Sequence, residues 1–277
     1  MESVEKIVDV GGVGVVTLEG GSGRPLLMLH DELGFPGWMR WNAALAGSHR
    51  FVVPLQPGFG RTERVSWFTS VRDVAAFYAR MLREEGLGQV DVIGFSMGGW
   101  IAAEMAAADP GLFGRMVLVA PLGVRPAEGE ILDFLGLTMR RHVMATVSNR
   151  SAEEVAQMYG GGISPEQFEL FEAARAESSR LAWEPYMHDR SLPHRLGGVQ
   201  GVESLVIWGE RDQVVPRGCA EAYAQALPGA RLETIADAGH RPEIEDSDRF
   251  LALVSEFLEA SSGAEAPSGQ KSFVRAN

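Results

Sequence analysis

One cysteine in 277 residues, Cys219, excludes an intrachain disulfide framework and any site built from several thiolates, and it fits a reducing compartment. Positive charge is also scarce. Lys plus Arg number 25 against 37 Asp plus Glu, and a net charge of −12 repels polyanions, which argues against nucleic acid or an anionic membrane surface as partner. No apolar run reaches the roughly 18 residues of a membrane span. Met1 to Lys6 shows neither the basic start nor the apolar centre of a secretory signal, so the sequence reads as cytoplasmic. No group of His, Cys, Asp and Glu has metal-ligand spacing, and no internal repeat is visible. What remains, 45% hydrophobic and 22% charged residues, is the composition of an ordinary globular protein long enough for one large α/β domain.

Short apolar runs alternate with turn clusters and helical patterns through the first hundred residues, as expected of strands feeding crossover helices. Lys6 to Val10 and Val13 to Leu18 flank Gly11-Gly12 and read as a hairpin, followed by a buried run from Leu26 to Leu29. Trp38 to Leu45 reads as a short helix, Phe51 to Val53 as a strand, and Gln56 to Glu63 as a Gly/Pro loop. Ser70 and Asp73 form a capping-box start for a helix running toward Gly86 on Val71, Val74, Ala75, Tyr78, Met81 and Leu82. A strand at Val90 to Ile93, an alanine-rich helix from Met97 to Ala108 and a strand at Met116 to Ala120 complete this half.

The alternation stops between Gly123 and Gly198, where the pattern is mostly helical. It resumes with a strand at Ser204 to Gly209, a helix from about Gly218, a strand at Arg231 to Ile235 and an amphipathic helix on Phe250, Leu251, Val254, Phe257 and Leu258. The expected division is therefore a core formed by residues 1–122 and 199–260, an inserted helical cap over 123–198, and a small, polar, flexible tail over 261–277.

Gly94-Phe95-Ser96-Met97-Gly98-Gly99 lies between a strand and a helix, where a sharp turn lifts a serine hydroxyl above the sheet and glycines leave room for neighbouring backbone. A nucleophilic serine needs a base, and the base needs a carboxylate to set its tautomer. His240, in the loop after the last strand, is the candidate base. Asp212, just past the carboxyl end of a strand, is the candidate acid, with Glu210 as rival and Asp237 read as a solvated loop residue. His30 ends a buried strand and suits loop shaping, while His49, His142, His188 and His194 fall in surface-like or cap positions and receive no role. Acyl chemistry also needs two oxyanion donors: the Met97 N–H at a helix start, and a backbone N–H of Glu32 in the His30-to-Gly34 loop. Gly12-x-Gly14 invites a dinucleotide reading, but Thr17 stands where the third glycine belongs, so no cofactor is implied.

Four motifs in order, Pro57-Gly58-Phe59-Gly60-Arg61-Thr62, the serine turn at 94–99, Gly209-Glu210-Arg211-Asp212 and Ala238-Gly239-His240, make residues 4–259 resemble the cap-bearing α/β-hydrolases, a group including esterases, carbon–carbon hydrolases and cofactor-free haloperoxidases. The resemblance implies an eight-stranded, mostly parallel sheet, a helical cap and a Ser96, Asp212, His240 triad. Serine at the elbow sets the chain apart from relatives that carry aspartate there. His30-Asp31 stands where His-Gly is common. The resulting expectation is a serine hydrolase that cleaves an ester, thioester or C–C bond of a small, apolar substrate through an acyl-enzyme, with Asp31, Phe95, Trp100, Phe134 and Trp183 lining the pocket. Asp31 and Glu32 would make that pocket unfavourable to anions. The alternatives are a non-hydrolytic lyase or cofactor-free oxygenase on the same site, and a ligand receptor that keeps the triad.

Overall fold

Buried strands with apolar residues on both faces must be covered on both sides, and the chain does this with two layers of helices. The computed structural model describes residues 2–160 and 162–260; the expected tail lies outside them. Strands β1 (Val4–Val10), β2 (Val13–Gly20), β3 (Pro25–Leu29), β4 (Arg50–Pro54), β5 (Val90–Phe95), β6 (Phe113–Val119), β7 (Glu203–Gly209) and β8 (Arg231–Ile235) form one sheet in the order β1-β2-β4-β3-β5-β6-β7-β8. The pairings β1–β2 and β2–β4 are antiparallel and all others parallel, so the hairpin entry and the mixed sheet are as the sequence predicts.

Side-chain alternation assigns each strand residue to one face. Leu27, Leu29, Val52 and Val92 join the core under α2 (Val71–Glu84), α3 (Met97–Ala108) and α8 (Arg217–Ala226). Leu26, Met28, Phe51, Val53 and Ile93 join the core under α1 (Arg40–Leu45) and α10 (Ser247–Glu259). The start of α2 follows from its cap: Ser70 accepts from the Asp73 N–H, and the Asp73 carboxylate accepts from the Ser70 N–H at 2.9 Å. Between β6 and β7 lie α4 (Met139–Thr146), α5 (Glu153–Tyr159), α6 (Pro165–Ala182) and α7 (Leu192–Leu196). A one-turn helix, α9 (Pro242–Glu245), which the hydrophobic pattern does not predict, follows the His240 loop. Among the described residues no helix is long and apolar enough to cross a membrane.

β6 starts three residues before the predicted Met116. The pattern of Phe113-Gly114-Arg115 looks poor for a strand, yet Gly114 leaves room for the Arg24 guanidinium to cross it and reach the buried Asp91 at 2.8 Å. Asp91 also accepts from the Arg115 N–H at 2.8 Å, so a carboxylate pins two parallel strands where hydrophobic pattern alone would end them.

On the opposite face, Trp41 is 1% exposed and packs edge-on to Phe51 and Phe250 and tilted against Phe95, with centroids 5.3–6.1 Å apart. It joins α1, the sheet and α10 in one contact. Trp41→Ala is expected to cost about 3–5 kcal/mol, read as a lower urea midpoint at unchanged slope. A loss under about 1 kcal/mol would show that the site collapses around the cavity.

Candidate active site

Parallel strands bring their carboxyl ends to one edge of the sheet, and loops leaving that edge are where α/β proteins gather functional side chains. Ser96 leaves β5, Asp212 follows β7, His240 follows β8, and Glu32 follows β3, so residues 208 positions apart in sequence share one edge.

The elbow at Ser96 has φ +48° and ψ −110°, a conformation that L residues adopt only when their surroundings enforce it. Two glycines make the packing possible. A Cβ on Gly94 would lie 2.5 Å from the Gly98 carbonyl oxygen, and one on Gly98 would lie 2.6 Å from that of His30 and closer still to that of Leu29. Helix α3 thus rests on the backbone of β3 and β5 with no side chain between. Ser96 is 2% exposed, and its Oγ has no hydrogen-bond partner. The Met97 N–H begins α3, where the helix dipole adds partial positive charge.

His240 Nδ1 lies 2.8 Å from Asp212 Oδ2, and both side chains are essentially inaccessible. Asp212 Oδ1 accepts from the N–H groups of Val214 and Val215 at 2.7 and 2.9 Å, which orients the carboxylate. Nδ1 is therefore the protonated nitrogen in the neutral ring, leaving Nε2 as the free base, and Nε2 has no hydrogen bond. Burial pulls the His240 pKa down, but the Asp212 and Glu32 carboxylates outweigh it and hold the pKa well above its ordinary value. The rival acid, Glu210, instead accepts from the Asp237 N–H at 3.3 Å, and Asp237 is an exposed partner of Arg211.

His30 shapes the β3 loop, as the sequence suggests. Its Nε2 accepts from the Gln56 N–H at 3.0 Å, its Nδ1–H donates to the Asp31 carbonyl at 3.0 Å, and burial lowers its pKa to about 4, which keeps it neutral. The carbonyl of Glu32 accepts from Ser178 Oγ on α6 at 3.0 Å. The Glu32 side chain, considered in sequence only as a charge unfavourable to anions, is fully buried. It points inward, with its carboxylate 3.9 Å from His240 Nε2 and 3.3 Å from His142 Nε2.

His142 is the residue sequence reasoning missed: the sequence reading leaves it without a role, yet its side chain is fully buried against the site. It stacks face to face on Phe134, with centroids 4.4 Å apart and planes parallel. The signal was available: Met139, His142, Val143 and Thr146 are the buried face of α4, at i, i+3, i+4 and i+7. His49 is likewise buried, bonded to Ser48 Oγ at 2.9 Å.

Of the expected pocket residues, Phe134 reaches the site through His142. Phe95, Trp183 and Asp31 border neither of the clefts that Trp100 and Tyr159 line, and the Trp100 cleft lies on the surface. Phe95 is packed between Trp41 and Phe250 on the sheet's other face, because its neighbour Ser96 takes the site side of the turn. Trp183 is 62% exposed. Trp100 is buried on α3, donates to Glu104 at 3.3 Å, and borders a surface cleft of about 280 Å³ with Val71, Leu181 and His188. Asp31 is not a free carboxylate, since Arg241 pairs with it at 3.0 Å. A larger cleft of about 650 Å³ in the inserted segment is bordered by Met144, Tyr159, Ile163 and Phe168, and the Tyr159 hydroxyl is 2.6 Å from Arg241, next to His240.

A model of the alpha/beta hydrolase family matches residues 26–253. The chain belongs to that family. It is 32% identical over 259 residues to a 2-hydroxymuconate semialdehyde hydrolase of Pseudomonas sp. (strain CF600), covering 87% of this chain and 88% of that one. Among solved structures, a meta-cleavage product hydrolase superposes with a TM-score of 0.75 at 25% identity, over 92% of this α/β-hydrolase and 98% of that chain. An esterase from Rhodococcus sp. ECU1013 shares the fold, with a TM-score of 0.69 at 21% identity, covering 94% of this chain and 99% of that one.

The elbow generates a direct expectation. Gly98→Ala should force α3 off β3, lowering the melting temperature and abolishing turnover together, whereas Gly88→Ala, with open space around its would-be Cβ, should change neither. Differential scanning calorimetry with an ester assay checks both; a Gly98→Ala protein of wild-type stability and rate would disprove the tight approach.

Proposed function

We propose that this α/β-hydrolase cleaves an ester or C–C bond of a small, largely apolar substrate through an acyl-enzyme on Ser96. The observation that carries the reading is the buried His240–Asp212 pair with Nε2 unspent, at the same sheet edge as a strained elbow serine whose Oγ is also unspent. A binding protein has no need of an oriented imidazole at the same sheet edge as an unpartnered elbow hydroxyl.

In this reading His240 Nε2 takes the Ser96 proton as Oγ attacks the substrate carbonyl, and Asp212 stabilises the imidazolium that forms. The N–H groups of Met97 and Glu32 receive the oxyanion. His240 then protonates the leaving group, and water, deprotonated by the same Nε2, releases the acyl group. Residues 123–198 serve as the cap that closes over this chemistry. The C–C alternative to an ester is supported by the similarity to 2-hydroxymuconate semialdehyde hydrolase together with the resemblance to carbon–carbon hydrolases; in that case the leaving atom would be carbon, and the same proton from His240 would quench it.

Ser96→Ala is expected to lower kcat about a million-fold against small aryl esters. Asp212→Asn should lower it about ten-thousand-fold by favouring the wrong tautomer, with Glu210→Gln close to wild type. Retention of more than about a tenth of the wild-type rate by Ser96→Ala would refute the reading. Because His240 must be neutral to act and its pKa is raised, kcat/KM should climb with pH through a limb well above the ordinary histidine value and be lost below it. A pH–rate profile with its acid limb at or below pH 6.5 would contradict the two-carboxylate environment of His240.

A further inference from the structure

The reaction written above leaves one buried ionisable pair without a task, the Glu32 carboxylate and the His142 imidazole. Neither Glu32 oxygen and neither His142 nitrogen makes a geometrically sound hydrogen bond, and the same is true of His240 Nε2, 3.9 Å from the Glu32 carboxylate, so the three side chains bring unspent polar atoms together out of reach of solvent. Groups buried in this condition are costly to keep unless they have work to do.

We propose that Glu32 is a positioning residue for the triad histidine, opposing release of the Nε2 proton of His240, and that cap residue His142 draws the carboxylate away so that Nε2 becomes free for Ser96. The inference rests on the proposed hydrolase reading and concerns the same site. Its basis is geometric: one carboxylate stands between two imidazoles, 3.9 Å from the ring of the core and 3.3 Å from the ring of the cap. Nε2 is the nitrogen that must accept the serine proton, and a carboxylate beside it favours the protonated, incompetent ring. The His142 ring on the other side of the carboxylate, 3.3 Å away, competes for its charge and weakens that hold. His142 is well suited to the task because Phe134 fixes its plane by stacking, and because α4 belongs to the inserted segment, so the basicity of His240 depends on where the cap sits.

The surrounding charges leave this balance to the three residues. Asp212 holds Nδ1. Asp31, beside Glu32, is paired with Arg241 at 3.0 Å, and Arg241 is further held by Glu243 at 3.2 Å and the Tyr159 hydroxyl at 2.6 Å. His30 and Tyr186, which also feel Glu32, are kept uncharged by burial, His30 with a pKa lowered to about 4 and Tyr186 with its phenol raised above the usual range. Burial works against an ionised Glu32, yet the two imidazoles hold its pKa well below the ordinary carboxyl value, so it is the anion that faces His240.

The two ends of the arrangement predict shifts of opposite sign. Removing the carboxylate lets His240 lose its proton more easily, so Glu32→Gln should move the acid limb of Ser96 reactivity down by about one to three pH units. Removing the cap imidazole leaves the carboxylate to His240 alone, so His142→Gln should move the limb up by about one unit. A merely structural role for either residue would lower rates at every pH without moving the limb.

The experiment needs no knowledge of the natural substrate. The rate at which a fluorophosphonate labels Ser96 is measured from pH 5 to 10 by intact mass for the wild type and both variants, with melting temperatures alongside. Opposite shifts support the proposal; unmoved limbs, or a downward shift for His142→Gln, overturn it. If a variant does not fold, nitrogen-15 histidine spectra of the Ser96→Ala protein, with Glu32 and His142 intact, decide the matter. Nε2 of His240 should keep its proton well above pH 6.5, and loss of that proton at or below this value overturns the proposal. Failure of the probe to label Ser96 at any pH would strike the hydrolase reading, whereas labelling with limbs indifferent to both substitutions would strike only the role given to Glu32.

Discussion

The close approach of helix α3 to strands β3 and β5 is the constraint from which the site follows. Where a helix rests on strand backbone with only glycine hydrogens between, the turn joining them cannot relax, and Ser96 is held at a positive φ that costs of order 1–3 kcal/mol. That strain is tolerable because β5 is buried along its whole length and α3 is almost wholly so, which leaves the elbow no cheaper conformation. The same turn directs Phe95 into the aromatic cluster of the far face and Ser96 toward the edge of the sheet. One tight contact therefore sets both the packing of Trp41 and the placement of the nucleophile proposed here.

Much of this was legible in sequence because it depends on local rules. Strand alternation, the Ser70 capping box and the Gly-x-Ser-x-Gly turn each declare themselves within a few residues, and the corresponding elements lie within a few residues of where the pattern puts them. The β6 start was hidden because its stability comes from Asp91 and Arg24, which lie far off in the chain. The site divides in the same way. Ser96, Asp212 and His240 follow strands and stand beside glycines that mark their loops, whereas the Glu32 side chain and His142 meet only through the folding of the inserted segment onto the core. No spacing in the sequence encodes a contact between residues 110 positions apart on unrelated elements. The apolar face of α4 could have shown that His142 is buried, but not what it faces.

The charge of the site also differs from what composition suggests. A chain with net charge −12 and an Asp31-Glu32 pair in the oxyanion loop reads as an anionic cleft. In the folded protein each of the three buried carboxylates has a partner: Asp31 has Arg241, Asp212 has His240, and Glu32 has His142 with His240. Arg241 follows the proposed base directly in sequence, so the loop after β8 delivers two cationic or proton-binding groups to two acidic loops. The anionic cleft expected from sequence is thus a site in which Asp31 and Asp212 are each held by one partner and the Glu32 carboxylate lies between two imidazoles.

This gives Glu32 a double position that a glycine or an apolar residue there could not have. Its backbone N–H belongs to the proposed oxyanion hole, its carbonyl is tied to the inserted segment through Ser178, and its carboxylate stands between the histidine of the core and the histidine of the insert. Backbone geometry and side-chain charge are thereby coupled in one residue. A shift of α6 that breaks the Ser178 contact would move the oxyanion donor, and a shift of α4 that withdraws His142 would change the proton affinity of His240. The two helices leave the sheet in the same insertion, so a displacement of that insertion as a body would do both at once. Donor geometry and base strength are in that way tied to one inserted segment through a single residue of the core.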